Sequence, residues 1–552
     1  MSQFDAELLV LLVRDFYGSL ASTVIDTLLK EGRLSLSLLA RYSSLSTATI
    51  QRVLVPLLQL RFVRHSVFDS PTTYVVSPEH IYSSIVRAGQ IIAYVDDIFS
   101  EEESSAALQV IKNLLLYGHI RISDYLSAAP NPAASTSAIA TLLRRKLLTT
   151  LTTEEFAPES DRVRALINEK LASIPRKATV SESKRAQAAE LEAQEAWHRI
   201  ATRHDSLSDG FLSSGEVDTS VVVTVNHEKF AVLARSRVLV DFAKRRIGAV
   251  TAAVYKHVLE TMEPRLFRSD ESRITISSLE ILKNLDEDLD LGHALAITSR
   301  RRKRDSSGSD SESSQQRPHK RRRKENDSSS SESESDYEMN GNNSKSASQM
   351  EVLNMHLALL CSSPSLPFLK RVGSKGGGEY TIDFSALMNS IRALEYDKLI
   401  AKRQGAVACR LLRIIRDKGR IDEKQIAQAA LLPAKEIRAH LTALHECGGL
   451  DLQEVPRGAD RAPSRTYYLW HHRPAAAHAL MAQQVIRAMT RCYARVIDER
   501  ARRPGVFAKI AREAALSAAE VEEVRKLRDV EEKLVVQITR LDRLVLVFRD
   551  CL

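Results

Sequence analysis

Few residues of this chain have the types and spacing that catalysis or metal binding requires. The five cysteines, Cys361, Cys409, Cys447, Cys492 and Cys551, lie far apart without a CxxC pair. This spacing argues against a zinc site, a redox motif or a disulfide framework. We therefore expect reduced thiols in an intracellular protein.

Two further segments contain residues that are common in active sites. The segment HHRPAAAH brings together His471, His472 and His478, but no Cys, Asp or Glu completes a metal shell, so a polar linker is the favoured interpretation. The segment GSKGGGEY, which begins at Gly373, lacks the GK[ST] ending of a phosphate-binding loop, and we predict a turn between two strands. We predict no catalytic residue, no metal site and no cofactor, and hence no enzyme activity of the chain by itself.

Cations near two predicted β-hairpins and on one predicted helix are the residues best suited to binding a partner. Flexible Lys and Arg side chains bind the phosphate backbone of DNA without reading its sequence. The candidate DNA-contact residues are Lys370, Arg371, Lys375, Lys435, Arg438, Arg457, Arg461 and Arg465.

A repeated pattern indicates the elements that must position these cations. The stretch that starts at Gly32 aligns without a gap with the stretch that starts at Gly419. In each, a helix ends at the glycine, and a short amphipathic helix leads through a turn into a longer one. The shared residues are Gly32 with Gly419, Arg33 with Arg420, Ala40 with Ala427, Leu45 with Leu432, Ile50 with Ile437, Leu54 with Leu441 and Leu57 with Leu444.

Both stretches continue into two β-rich runs around a turn that contains proline, which completes the pattern of a winged helix. Winged helices bind DNA or serve as protein docking modules, and the first copy is equivocal. Its longer helix offers few polar groups for base contact, and Leu60, Phe62 and Val63 are predicted to form an exposed region suited to protein contact.

The chain is predicted to be mainly α-helical with small β wings, and to comprise four tandem winged-helix domains followed by a C-terminal helical hairpin or coiled coil. The predicted divisions are winged helix 1 at 1–82, winged helix 2 at 100–160, a helical linker at 161–220, winged helix 3 at 221–383, winged helix 4 at 384–473 and the hairpin at 474–552.

A polar tract at residues 299–348 interrupts the predicted third winged helix. Its composition cannot bury a core, so we expect disorder. Two basic clusters lie at the separation of a bipartite nuclear import signal, and serines that precede acids suit an acid-directed kinase. The alternative is a solvated insertion whose charges only keep it soluble. The import-signal candidates are Arg300, Arg301, Arg302, Lys303, Arg304, Lys320, Arg321, Arg322, Arg323 and Lys324.

The last segment predicts two helices. One carries an apolar stripe from Val485 to Val496. The other keeps heptad spacing through Val524, Ile538 and Val545, with Glu531 intruding, and its partner register holds Leu527, Leu534, Leu541 and Phe548. We expect the stripe to be buried in an intramolecular hairpin. Homodimerisation is the alternative.

Composition agrees with a protein that works inside the cell on a polyanion. The chain has 552 residues, a net charge of +9 and a pI near 9.2. No secretory signal is recognisable at its start, and its apolar run Leu8–Val13 is too short to span a bilayer, so no membrane partner is expected.

The opening LLVRDFYGSLASTVIDTLLKEGRLSLSLLARYSSLS, the segment VNHEKFAVLARSRVLVDFAKRRIGAVTAAVYKHVLE from Val225 and the four winged helices resemble the TFIIE-alpha-like family that provides the largest member of the RNA polymerase III-specific heterotrimer. The resemblance implies a nuclear, non-catalytic subunit that docks on the clamp region of the RNA polymerase III core. It also implies two smaller specific partner subunits, non-sequence-specific promoter DNA and the factor TFIIIB as partners. The implied role is promoter opening and initiation at transfer RNA, 5S ribosomal RNA and other small RNA genes.

A free-standing winged-helix DNA-binding regulator of transcription is the competing class. Such a protein needs a recognition helix that discriminates bases, whereas an enzyme acting on DNA needs an acidic or nucleophilic cluster. Which winged helix contacts DNA and which contacts the core enzyme is left open by the sequence.

Overall fold

The computed structural model describes residues 2–66, 71–99, 101–173, 182–213, 218–265, 274–285, 291, 341–362, 366–456, 466–512 and 517–550. The two basic clusters predicted as an import signal lie outside these residues, as do Arg457, Arg461 and Arg465. Within the described residues the chain is mainly α-helical with small antiparallel sheets, as the sequence predicts.

The first winged helix begins after helix α1 (Gln3–Tyr17). Its elements are α2 (Ser19–Glu31), β1 (Leu34–Ser35), α3 (Leu36–Ser43), α4 (Thr47–Gln59), β2 (Val63–Ser66) and β3 (Thr73–Val76). Strand β3 lies between β1 and β2. The Ser46 side chain accepts a hydrogen bond from the Thr49 amide and so caps α4.

One expectation for this domain is wrong. Leu60, Phe62 and Val63 are predicted to be exposed, but their exposed fractions are 5%, 0% and 0%. The chain turns sharply after α4 because Arg61 adopts a left-handed conformation, which directs Phe62 and Val63 into the domain core.

The second winged helix follows α5 (Pro78–Ile85) and α6 (Ala88–Ile98). It consists of α7 (Glu101–Tyr117), β4 (His119–Arg121), α8 (Ile122–Ala128), α9 (Pro132–Arg144) and β5 (Leu148–Thr150), and then of α10 (Glu159–Ser173), α11 (Glu182–Ser213) and β6 (Val222–Val225). Strand β6 pairs with both β4 and β5 as the central strand of their sheet.

This pairing corrects the predicted boundary between the second and third winged helices. Val222–Val225 completes the second sheet instead of opening the third domain, and the helices predicted as a linker at 161–220 lie within the second wing. The two strands of a wing are usually joined by only a few residues, so the sequence prediction places the end of the second winged helix too early. Burial of Val223 and Val225 stabilises the distant pairing.

The third winged helix follows α12 (His227–Arg246). Its elements are α13 (Ala249–Met262), β7 (Ile276–Ser277), α14 (Ser278–Lys283), α15 (Gly341–Cys361), β8 (Lys370–Gly373) and β9 (Glu379–Thr381), with β9 between β7 and β8. Helix α15 begins at Gly341, inside the tract predicted to be disordered to 348. Burial of Leu353, Leu357 and Leu360 holds the later part of α15 in a helix. The helix can then extend towards Gly341, because each further residue forms a helical hydrogen bond without a new nucleation step.

The fourth winged helix begins with α16 (Phe384–Lys418), which folds back at Gly405, where φ is 91°. The fold-back lets Asp397 pair with Arg413 at 2.8 Å and with Arg416 at 2.7 Å, contacts that a straight helix cannot make. The domain continues with α17 (Glu423–Ala430), α18 (Ala434–Glu446), β10 (Asp451–Pro456) and β11 (Thr466–His471). Its first strand is reduced to a single bridge between Ile421 and Trp470.

The C-terminal segment contains α19 (Pro474–Ala501), α20 (Pro504–Ala511) and α21 (Ala518–Val545), which ends in a π-helical turn, Leu546–Asp550. Helices α19 and α21 pair within the chain, and Arg500 Nε lies 2.6 Å from an oxygen of Glu531, the acid that interrupts the heptads. The apolar stripe of α19 shares a core with α1, so Val485, Ile486 and Met489 pack with the leucines of the first winged helix.

The chain divides into two compact units. The first comprises Met1–Leu239, Met262–Ile274 and Ile382–Leu552, and the second comprises Val240–Thr261 and Thr275–Thr381. In the second unit the rings of Tyr255 and Phe368 meet edge to face with centroids 5.4 Å apart. There the buried His356 hydrogen-bonds to Thr251 and to the Leu291 carbonyl. No helix in the described part of the chain is long and apolar enough to cross a membrane.

Candidate nucleic-acid interface

The wing of the third domain presents three of the predicted cations to solvent. Lys370 and Arg371 lie on β8, Lys375 lies in the turn before β9, and all three are exposed. The turn is GSKGGGEY, which the structure shows as strand, turn and strand. Gly376 adopts φ +59°, and a Cβ there would lie 2.8 Å from Ser277 Cβ, so only glycine lets this turn pack against β7.

The longer helix of the fourth domain carries the other two described candidates. Lys435 lies exposed in the first turn of α18. Arg438 Nε lies 2.6 Å from an oxygen of Glu423 on α17, and its side chain is 69% exposed. The same helix carries Glu436 and Glu446. Its surface therefore has mixed charge, unlike the strongly basic face of a helix that reads bases.

The two sets of cations belong to different compact units of the chain. Within the fourth domain, the wing loop 457–465 joins β10 to β11, and its arginines lie outside the described residues.

The histidine segment after β11 is more than a polar linker. His472 Nδ1 lies 2.6 Å from the Gly449 carbonyl, and the His478 ring packs between Tyr396 and Phe548. Burial first, and then the nearby His472 and Arg392, lower the pKa of His478 to about 4. Burial also lowers the pKa of His472 and raises that of the Tyr396 phenol. These rings form part of the domain core, and among the described residues no group of His, Cys, Asp and Glu has the geometry of a metal site.

Sequence reasoning missed a cavity of about 470 Å³ beside this segment. Arg416, Arg420, His471, His472 and Arg473 line it, together with Pro474 at the start of α19. The alignment of Arg33 with Arg420 marked one of these residues only as a repeat position. No sequence pattern indicates that the ends of α16 and β11 meet the start of α19.

Another group that sequence reasoning missed ties the first domain to the end of the chain. Asp542 is 1% exposed and accepts hydrogen bonds from Tyr82 Oη at 2.7 Å and Gln90 Nε2 at 2.8 Å, and from the Arg87 guanidinium. Burial is the largest effect on the Tyr82 phenol and, together with the Asp542 carboxylate, raises its pKa well above 10. This group is structural and does not belong to the nucleic-acid interface.

Taken together, these features define a class: a tandem winged-helix protein with scattered cations, and with no metal-ligand cluster among its described residues. Family models narrow the class. Residues 7–67 match the RNA polymerase III subunit RPC82 helix-turn-helix domain, residues 137–391 match RNA polymerase III subunit RPC82, and residues 396–472 match the C-terminal winged-helix domain of POLR3C.

Curated relatives agree along nearly the whole length. The RNA polymerase III subunit RPC3 of Yarrowia lipolytica is 33% identical, with 98% of this chain and 96% of that protein aligned. The corresponding protein of Aspergillus niger is 27% identical over 100% of both chains, and that of Eremothecium gossypii is 27% identical over 86% of this chain and 82% of its own. This chain belongs to the RPC82/RPC3 family of RNA polymerase III subunits. It is therefore a component of that polymerase and not an enzyme by itself.

Proposed function

We propose that this chain docks on the clamp region of the RNA polymerase III core together with two smaller specific subunits, and that it assists promoter opening at transfer RNA, 5S ribosomal RNA and other small RNA genes. The observation that carries the proposal is the similarity to named RNA polymerase III subunits over nearly the full length. Winged helices can serve either as DNA-binding or as protein-docking modules, so a chain with several of them suits such a role.

The DNA contact that we propose is weak and independent of sequence. The third wing offers exposed cations on flexible side chains, and the fourth recognition helix mixes Lys435 with Glu436 and the paired Arg438. Phosphate contacts of this kind position a protein on a duplex without specifying bases. Contact with TFIIIB near the start site, and a nuclear location, belong to the same proposal.

Affinity purification of the tagged full chain from nuclei tests the proposal. Recovery of the polymerase core and two further subunits in near-equal amounts is the expected result. Recovery of the chain alone, combined with a DNA site bound at least about a thousandfold better than random duplex, would identify a free-standing regulator instead.

Promoter opening is tested separately, with polymerase reassembled around the triple variant Arg457→Ala, Arg461→Ala and Arg465→Ala. We expect normal assembly and reduced permanganate reactivity of the promoter, because the wing cations contact the DNA backbone. Failure of the variant to assemble would make these arginines docking residues.

A further inference from the structure

The cavity at the base of the fourth wing has the composition of an anion site. We call it the cationic cavity, and it is lined by Arg416, Arg420, His471, His472, Arg473 and Pro474. Its volume is about 470 Å³, and none of the described residues that line it is acidic.

The arginines around the cavity outnumber the acids that pair with them. Arg413 and Arg416 share Asp397, and Arg473 pairs with Asp451. Arg420 is exposed, and its side chain has no hydrogen-bond or ion-pair partner among the described residues. Three arginines therefore line the cavity against two aspartates, and one of these aspartates is shared with Arg413 outside the cavity, so positive charge is in excess.

Two imidazole nitrogens at the cavity also lack partners. His471 Nδ1 and His472 Nε2 are buried and make no hydrogen bond within the described structure. His472 Nδ1 is already satisfied by the Gly449 carbonyl, so only its second nitrogen lacks a partner. Buried polar atoms without partners are costly, and a bound group that hydrogen-bonds to these two nitrogens removes that cost.

The start of α19 adds to the positive potential. This 28-residue helix has no side-chain hydrogen bond at its N-cap residue, Arg473, and no acid in its first turn. Its first amide groups therefore present uncompensated partial positive charge. The carboxyl end of α16 also borders the cavity and carries the opposite partial charge, but the excess of full charges on the arginines outweighs it.

The cavity is separate from the proposed DNA contacts. Strand β11 runs from Thr466, beside the wing loop, to His471 at the cavity, and its two ends lie roughly 17 Å apart. Lys435 lies at the opposite end of α18 from Glu446, again roughly 17 Å along the helix axis. A duplex bound by the wing loop and the start of α18 does not need to reach the base of the hairpin.

We propose that the cationic cavity binds a phosphomonoester, a dianion carried either by a phosphorylated serine or threonine side chain or by a small phosphorylated molecule. The three guanidinium groups that line the cavity offer more N–H donors than a carboxylate can accept, whereas the three terminal oxygens of a phosphomonoester can accept from all three. Arg420 is the residue on which binding depends most, because no acid competes for its guanidinium.

Fluorescence anisotropy on the full chain tests the proposal with a labelled peptide that carries one phosphoserine. Its unphosphorylated and glutamate forms serve as references. We expect the phosphopeptide to bind at least tenfold more tightly than either reference. Arg420→Ala is expected to weaken phosphopeptide binding at least fivefold and His472→Gln at least threefold. The matched control Lys424→Ala removes an exposed cation outside the cavity and is expected to change the affinity less than twofold.

Competition distinguishes the two sources of the group. Displacement by inorganic phosphate at concentrations comparable to the peptide supports a free phosphorylated ligand, whereas a tenfold preference for the peptide supports a protein side chain. Equal affinity for phosphorylated and unphosphorylated peptide would overturn the proposal, as would unchanged binding by Arg420→Ala. Loss of duplex DNA binding in Arg420→Ala without any effect on the phosphopeptide would make the cavity a DNA backbone contact.

Discussion

Arg87 donates from its Nη2 atom to Oδ1 of Asp542 at 3.1 Å, although the two residues are 455 positions apart in the chain. The carboxylate is buried and also holds Tyr82 and Gln90, while Arg87 contacts Asp550 as well. These contacts hold the segment around α5 and α6, which follows the first winged helix, against helix α21.

Asp542→Ala is expected to destabilise this junction strongly. The substitution leaves the guanidinium of Arg87 and the hydroxyl of Tyr82 without their shared acceptor, and breaking a buried pair in this way costs about 3–5 kcal/mol. Thermal unfolding and limited proteolysis of α21 measure the loss. Asp529→Ala, which removes an exposed acid from the same helix, should leave both measurements unchanged. Equal effects of the two substitutions would contradict the assigned role.

The buried histidines predict a loss of stability in mild acid. Burial first, and then the charges of Arg61 and Arg87, lower the pKa of His227 to about 4. The centroid of its ring lies 4.7 Å from that of His80. The unfolded chain takes up a proton near pH 6.5, while the folded chain does not until about pH 4. Stability should therefore fall as the pH drops through this window.

Denaturation midpoints measured between pH 7 and pH 4 test this expectation. His227→Gln should reduce the slope in that range, and His440→Gln, on the partly exposed side of α18, serves as the control. An unaltered slope in His227→Gln would show that other groups cause the acid sensitivity.

Leu431 occupies the turn between α17 and α18 with φ 54° and an exposed fraction of 88%. A left-handed leucine costs about 1 kcal/mol that glycine does not, and so exposed a side chain contributes little burial in return. Leu431→Gly should therefore raise the stability of the fourth domain by roughly that amount, as measured by chemical denaturation. Leu432→Gly, at the adjacent partly buried position, should lower it. A loss of polymerase assembly in the stabilised variant would identify Leu431 as a docking residue.

Removing the three cations of the third wing should weaken DNA binding in a salt-dependent way. Each lost phosphate contact reduces the slope of log K against log salt by about 0.9. The triple variant Lys370→Ala, Arg371→Ala and Lys375→Ala is expected to lower that slope by up to about 3 for random and promoter duplexes alike. Anisotropy titrations from 50 to about 200 mM salt measure it. Lys402→Ala, an exposed cation on α16, is the control.

The basic clusters at 300–304 and 320–324 should matter for location and not for folding. Alanine substitution of both clusters is expected to reduce nuclear accumulation of a fluorescent fusion while leaving the melting temperature and partner binding unchanged, because they lie in a tract whose composition cannot build a core. Retained nuclear accumulation would mean that partners carry the chain in. A lower melting temperature would mean that the clusters pack as structure.

The sequence predicted the structure best in the two aligned stretches that start at Gly32 and Gly419. Gly32 and Gly419 both end a helix at φ +83°, as their alignment requires. The agreement extends to positions that no residue match suggested, since Ser44 and Leu431 align and both adopt left-handed conformations. Local patterns predict such features because turns and caps depend on neighbouring residues.

Pairing between strands that are distant in the chain could not be predicted in the same way. Val222–Val225 pairs with Leu148–Thr150 across two inserted helices, and a four-residue apolar strand carries no information about which partner it will meet. The cationic cavity and the junction of Arg87 with Asp542 have the same cause. Both form where elements that are distant in the chain come together, so their residues look like ordinary surface charges in the sequence.

The shared core of α1 and α19 has a consequence for synthesis. Val13 leaves the ribosome 472 residues before Val485, and at about 5–20 residues per second this interval lasts roughly half a minute to a minute and a half. During that time α2 can already pack against α1, but the part of the α1 surface that α19 covers has no cover from its own chain. The nascent protein therefore exposes part of the apolar surface of α1 until α19 has been synthesised, and chaperone occupancy on ribosomes should persist until that helix emerges.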